Sequence, residues 1–173
     1  MKVLIVVDMQ KDFVNGALGS AEAEAIVPAV AEKIRSFDGE VFYTRDTHMD
    51  NYLLTQEGKN LPVVHCIKNS PGWQIIPELQ PVPEERVINK PSFGSTELPR
   101  KLKDFEEEKG EAVTEITLIG LCTDICVISN AMILKASFPE VPILVDPACC
   151  AGVSPESHQN ALDAMKCCQI GIL

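Results

Sequence analysis

The 173-residue chain is 46% hydrophobic, which supplies one well-buried core and excludes a disordered segment. Its 15 basic and 25 acidic residues leave a formal charge of −10 at pH 7, a field that repels polyanions, so neither nucleic acid nor an anionic membrane is an expected partner. The opening apolar run stops at Asp8, too short for a secretory signal or for a span of about 20 residues, and seven cysteines in a core-rich chain read as reduced thiols, so a cytoplasmic location is expected.

Lys2–Val7 (KVLIVV) is a continuous, β-branched apolar run, the pattern of a strand buried on both faces and therefore central in a parallel sheet. Ile26, Val30, Ile34 and Phe37 recur at helical spacing within 21–37; Asp38-Gly39 closes that helix, and 40–44 (EVFYT) reads as a second strand. Residues 47–84 show no sustained periodicity and carry Pro62, Pro71, Pro77, Pro81 and Pro83, which predicts a long functional loop. A third strand is expected at 86–88, a helix near 97–107, a fourth strand at 115–119 ending at Gly120, and a helix over 124–137. A fifth strand at 142–145, a helix over 155–167 and a short strand at 169–173 complete the chain. Alternating strands and helices predict one α/β domain over 1–173: a doubly wound parallel sheet of about six strands in three α/β/α layers.

In such a sheet the carboxyl ends of all strands open on one edge, where ligands bind near the reversal of strand order. Asp8 ends the first strand, Asp46 follows the second, Lys90 follows the third, and Cys126 lies in the turn after the fourth. Each alone has an ordinary explanation as a cap or a packed side chain; four at one edge point to chemistry. A thiol at a helix start gains thiolate character from the dipole, and Lys90 nearby is expected to lower its pKa further. Asp8 can accept the thiol proton and return it to a leaving group, giving a nucleophile, an acid/base and an electrostatic partner.

Three ordered motifs, Asp8-Met-Gln-Lys-Asp-Phe-Val14, Asn89-Lys90-Pro-Ser-Phe93 and Gly120 to Val127, resemble those of the isochorismatase-like cysteine hydrolases, and within them the nicotinamidase branch. The resemblance runs from residue 2 to the end. It implies that Cys126 is the nucleophile, Asp8 the acid/base and Lys90 the third catalytic member. It further implies a cis peptide between Leu121 and Cys122, with the backbone N–H groups of Cys122 and Cys126 forming an oxyanion hole. Asp46-Thr-His48, then Glu57, then His65-Cys66 match the family's metal-binding pattern, implying one divalent ion, zinc before iron or manganese, held by Asp46, His48, Glu57 and His65 in a loop region at about 46–84. The ion would orient a pyridine carboxamide for attack, and nicotinamide would become nicotinate.

One departure concerns the substrate wall. Family members often place a large aromatic before the prolines ahead of the metal histidine, whereas this chain has Leu61-Pro62-Val-Val-His65, so Phe13 and Phe93 are expected to line the pocket beside Leu61. Trp73 reads as a loop anchor and His158 as structural. Two other readings remain open: an amide or ureido hydrolase of the same superfamily acting on a different small-molecule amide, and a non-catalytic zinc module with redox-sensing thiols drawn from Cys122, Cys126, Cys149, Cys150, Cys167 and Cys168. A homo-oligomer is expected, covering helix faces and the sheet edge.

Overall fold

The computed structural model describes residues 1–173. Strand β1 (Lys2–Val7) sets the architecture because its side chains alternate between two cores. Val3, Ile5 and Val7 pack on one face beneath Leu98, Leu102, Ala131, Leu134, Leu162 and Met165. Leu4 and Val6 pack on the other with Ala23, Val30, Ile75, Ile76 and Leu79. With apolar partners on both sides, the strand needs no polar face, which is why it reads as an unbroken run.

The remaining strands are β2 (Glu40–Asp46), β3 (Val87–Lys90), β4 (Glu115–Leu121), β5 (Ile143–Ala151) and β6 (Gly171–Ile172). Together they form one six-stranded, all-parallel sheet in the order β3-β2-β1-β4-β5-β6. The helices are α1 (Lys11–Val14), α2 (Ala21–Ser36), α3 (Gln56–Asn60), α4 (Glu97–Lys109), α5 (Ile128–Ser137) and α6 (Pro155–Cys167). The core memberships place α4, α5 and α6 on one face and α2 with residues 75–79 on the other, the three-layer arrangement expected from the alternation. No helix is long and apolar enough to cross a membrane.

Local chemistry fixes the helix ends. Ser20 accepts the Ala23 N–H at 3.1 Å to open α2, Ser154 and Ser157 form a reciprocal capping box with Pro155 in the first turn of α6, and Gly110 closes α4 at φ +67°. Strand order reverses between β1 and β4, and there Gly120 adopts φ +110°, where a Cβ would stand 2.2 Å from the Val7 carbonyl oxygen. Only glycine lets these two strand ends approach so closely.

Several boundaries differ from the sequence reading. Strand β2 extends through Asp46, and β3 covers 87–90 because Arg86 belongs to a 3₁₀ turn (Glu84–Arg86). Asp46 and Lys90 are therefore the last residues of their strands, paired in register, and do not follow them. Strand β4 continues to Leu121, and β5 runs on to Ala151 across a register irregularity opposite 118–120, which absorbs Asp146-Pro147 and hides the continuation from a reading by alternation. Strand β6 is limited to two residues. The helix expected from 124 begins as a π turn (Thr123–Val127) and becomes α-helical at Ile128. Residues 47–84 hold short elements of their own: α3, and 3₁₀ turns at Tyr52–Leu54 and Pro77–Leu79.

Candidate active site

Asp8, at φ +48°, leaves β1 in a left-handed turn that aims its carboxylate across the switch point. Thr44 on β2 donates its hydroxyl to Asp8 Oδ1 at 2.7 Å. Lys90, wholly buried, brings Nζ to 2.6 Å from Asp8 Oδ2, 3.3 Å from Asp46 Oδ1 and 3.5 Å from Cys126 Sγ, and donates to the Ser92 carbonyl at 3.1 Å. A buried ammonium needs such a set of acceptors, and two of its four neighbours are carboxylates. Burial pulls its pKa down, but Asp8, Cys126 and Asp46 outweigh that and hold it above the ordinary lysine value.

Cys126 behaves differently from the expectation of a lowered pKa. Burial pushes the thiol well above its ordinary value, and the charge of Asp8 adds to the rise; Lys90 opposes both without prevailing. Its resting form is therefore the protonated thiol, next to a carboxylate able to take the proton. The Leu121–Cys122 peptide is cis, as the resemblance implies. The Ile125 and Val127 N–H groups both donate to the Cys122 carbonyl, at 3.1 and 3.0 Å, while the Cys122 N–H donates to no protein group.

The four oxygen and nitrogen donors converge next to Lys90. One ligand atom from each of Asp46, His48, Glu57 and His65 can be chosen so that all four lie within 4.8 Å of one another. Asp46 Oδ2 is 3.0 Å from His48 Nε2 and 3.7 Å from His65 Nε2, and Glu57 Oε1 is 3.4 and 3.9 Å from the same two nitrogens. His65 Nδ1 lies 2.7 Å from the Val63 carbonyl, which can only accept, so the proton sits on Nδ1 and the Nε2 lone pair faces the cluster. His48 Nε2 is buried and has no aligned hydrogen-bond partner. An orphaned imidazole nitrogen, a second with its lone pair directed inward and two carboxylates make a donor set that fits a divalent cation. Burial would raise Asp46, yet its contacts with His48 and Lys90 hold it below the usual aspartate range, ionised as a ligand must be.

A cavity of about 490 Å³ connects these groups: Cys126, Cys122, Asp46, Glu57 and His65 all lie on its wall, with Phe13, Leu61 and Phe93 among its apolar lining. Leu61 and Phe93 are 38% and 43% exposed, so they form its rim. His158 and Trp73 lie outside it. His158 Nδ1 is 2.7 Å from the Thr123 hydroxyl, and Trp73 donates Nε1 to Thr47 Oγ1 at 2.8 Å beneath the Arg45 guanidinium, which lies 3.6 Å from the ring centroid. All seven cysteines are free thiols, with Cys167 and Cys168 exposed.

Several contributors escape a reading of the sequence. Gln10 clamps the Asp46 backbone, accepting its N–H at 2.7 Å and donating to its carbonyl at 2.9 Å. Tyr52 sits under both imidazoles, with ring centroids 4.6 and 5.0 Å away, and donates its hydroxyl to the Leu61 carbonyl at 2.9 Å. Asp12 accepts the Cys66 N–H at 2.7 Å, tying the donor loop to α1. Asn130, wholly buried, donates to the carbonyls of Cys126 (2.8 Å) and Phe93 (3.1 Å) and accepts the Ser95 N–H (3.0 Å), fastening the segment after Lys90 to the π turn. Their only sequence signal is a polar or aromatic residue beside a motif, and the partners that give them meaning come from other elements.

The isochorismatase domain family matches residues 2–172. Over its whole length the chain is 28% identical to the nicotinamidase/pyrazinamidase of Mycobacterium tuberculosis, covering 98% of that protein. Among solved structures, it resembles the pyrazinamidase of Pyrococcus horikoshii in complex with zinc (TM-score 0.81, 28% identity, 99% of this chain and 98% of that one). It is also similar to the pyrazinamidase/nicotinamidase of Streptococcus mutans (TM-score 0.82, 27% identity, both chains covered in full).

Proposed function

Because this chain belongs to the isochorismatase domain family, we propose that it is a metal-assisted cysteine amidohydrolase that converts nicotinamide and water to nicotinate and ammonia through a thioester on Cys126. The observation that carries this reading is the convergence of Lys90 Nζ on both Asp8 (2.6 Å) and Cys126 Sγ (3.5 Å), directly behind a cavity wall formed by Cys126 and by three of the four clustered donors, Asp46, Glu57 and His65. A structural metal site would leave the buried Asp8–Lys90 pair without a task.

The chemistry follows from the proton inventory. Asp8 takes the Cys126 proton as the sulfur attacks the amide carbon, so that thiolate forms only where it is consumed. Burial raises the Asp8 pKa, which suits a group that must also hold and return a proton, while Lys90 at 2.6 Å opposes that rise by favouring the carboxylate and compensates the sulfur's charge during transfer. The oxygen of the tetrahedral adduct would be held by the Cys122 N–H, which donates to no protein group, and by the Cys126 N–H. Asp8 then gives its proton to the departing nitrogen, ammonia leaves, and a water delivers its proton to Asp8 as its oxygen attacks the thioester carbon. Collapse releases the acid, and the sulfur recovers its proton from Asp8. A divalent ion held by Asp46, His48, Glu57 and His65 would supply a Lewis-acidic anchor for a ring nitrogen, and zinc suits the nitrogen and oxygen donors. Phe13, Leu61 and Phe93 would exclude water around the ring.

The test is ammonia release across nicotinamide, pyrazinamide and several aliphatic amides, with Cys126→Ala as control. Release from the pyridine and pyrazine amides that vanishes in the variant supports the reading. Release confined to aliphatic amides would favour another hydrolase of the family, an outcome that Leu61 on the rim makes worth measuring.

A further inference from the structure

The cavity wall has a part that neither the nucleophile nor the donor cluster explains. Besides Cys126 and the donors Asp46, Glu57 and His65, the cavity is lined by Ala17, Leu18, Gly19 and Ser20 ahead of α2, by Ala23 in its first turn, and by Gly152-Val153 after β5. None of these side chains carries a charge. Ser20, the sole polar one, is engaged as the cap of α2. Val153 is 65% exposed, so this arm reaches solvent. Gly19 and Gly152 are closed on their Cβ sides by the Asn15 backbone (2.7 Å) and by His158 (2.9 Å), and they present bare backbone to the cavity.

Size and polarity then decide what the arm can take. Cavities of roughly 300–1,000 Å³ bury drug-sized ligands, and at about 490 Å³ this one falls inside that range. A single ring with one carboxamide, spanning Cys126 and the donor cluster, leaves the arm to water held against apolar wall. An anionic group there would meet the field of a chain of net charge −10, and a neutral polar group would exchange full hydration for a single side-chain partner, the Ser20 hydroxyl. An alkyl group would release the water at no such cost.

Building on the amidohydrolase reading, we propose that the arm between the α1–α2 segment and Val153 is a subsite for a neutral apolar substituent, so that the preferred substrates are nitrogen-ring carboxamides carrying an alkyl group and not the bare ring. Each buried methylene is worth about a fourfold gain in affinity or kcat/KM.

The experiment uses the full chain with added zinc and two substrate series, 5-alkyl and 6-alkyl nicotinamides from hydrogen to propyl. In one series kcat/KM should climb about fourfold per carbon. Ala17→Phe, which narrows the arm, and Val153→Asp, which charges it, both change exposed residues and should flatten that climb. A kcat/KM that falls with chain length in both series, or a climb that survives both substitutions, overturns the subsite. Calorimetric titration of Cys126→Ala with the same compounds separates the two proposals. Affinity that rises with chain length while the native protein releases no ammonia supports the subsite and removes the amidohydrolase reading. Affinity flat or falling in both series, with nicotinamide hydrolysed normally, removes the subsite and leaves that reading intact.

Discussion

Asp46 and Lys90 are in-register partners at the ends of neighbouring strands, and their side chains meet at 3.3 Å. Through this contact one carboxylate serves two groups, Oδ1 turning to the ammonium that also pairs with Asp8 while Oδ2 faces the two imidazoles. Asp46→Asn should therefore lower both metal affinity and kcat, whereas His48→Ala should remove metal and raise KM. Gln10→Ala, which frees the Asp46 backbone, should cost about 10–100-fold in metal affinity or activity. Metal content and steady-state kinetics at saturating zinc read this directly; a wild-type kcat for Asp46→Asn under those conditions would show that the two groups are not linked.

The protonated resting thiol gives a prediction with opposite signs in two assays. Burial is the largest cause of the raised Cys126 pKa, Asp8 the next, and Lys90 opposes them. Asp8→Asn removes a raising charge and leaves the lowering one, so the thiol pKa falls and more thiolate is present at any fixed pH. Alkylation of Cys126 should speed up in this variant while turnover drops by about 10²–10⁴ through loss of the acid/base. In the native protein the alkylation rate should keep rising with pH above neutrality, as a raised thiol pKa requires. Peptide mass spectrometry with iodoacetamide resolves position 126 from the exposed Cys167 and Cys168; slower alkylation in Asp8→Asn would reverse the electrostatic argument.

The sequence carried the strand-terminus residues well because each sits at a break in an apolar run: Asp8 after KVLIVV, Lys90 after a shorter run, Cys126 just past Gly120. The all-parallel sheet followed from the alternation of strands and helices. Lengths were less legible. The strand expected at 142–145 begins at Ile143 and runs on to Ala151, because the irregularity opposite 118–120 takes up the extra residues. The π turn is invisible to a 3.6-residue period, since its bonds reach one residue further than those of an α-helix. Gln10, Tyr52 and Asn130 were missed for a different reason. Their hydrogen-bond partners lie on other elements, and Gln10 and Asn130 reach across 36 and 37 residues of chain.

Asn130 is the strongest of these for a test of positioning. Its side chain joins the nucleophile's own carbonyl to the segment that holds Phe93 and the Ser92 carbonyl bonded by Lys90. Asn130→Ala strips a buried N–H and two carbonyls of a partner, so a loss of about 2–4 kcal/mol is expected, together with a fall in kcat larger than any rise in KM. Denaturant unfolding and steady-state kinetics give the two numbers, and full kcat in a destabilised variant would assign Asn130 to stability alone.

Two glycines with positive φ separate backbone conformation from steric approach. Gly110, at φ +67°, has nothing within 4 Å of where a Cβ would stand, so Gly110→Ala meets only the conformational penalty of the left-handed region, about 1 kcal/mol. Gly120, at φ +110°, would press a Cβ to 2.2 Å from the Val7 carbonyl oxygen and 2.9 Å from its nitrogen, in the one place where β1 and β4 must lie side by side for Asp8 to face Cys126. The obstacle is main chain in the middle of the sheet, so no rotamer change relieves it. Gly120→Ala should cost more than about 4 kcal/mol, the range in which single substitutions abolish folding. Any folded fraction should bind metal, because the donor cluster stands on β2 and its following loop, and yet show low kcat, because the β1 and β4 ends have separated. Thermal unfolding of the two variants side by side decides the point: equal, small losses would mean that the close approach at the switch point does not govern the geometry of the site.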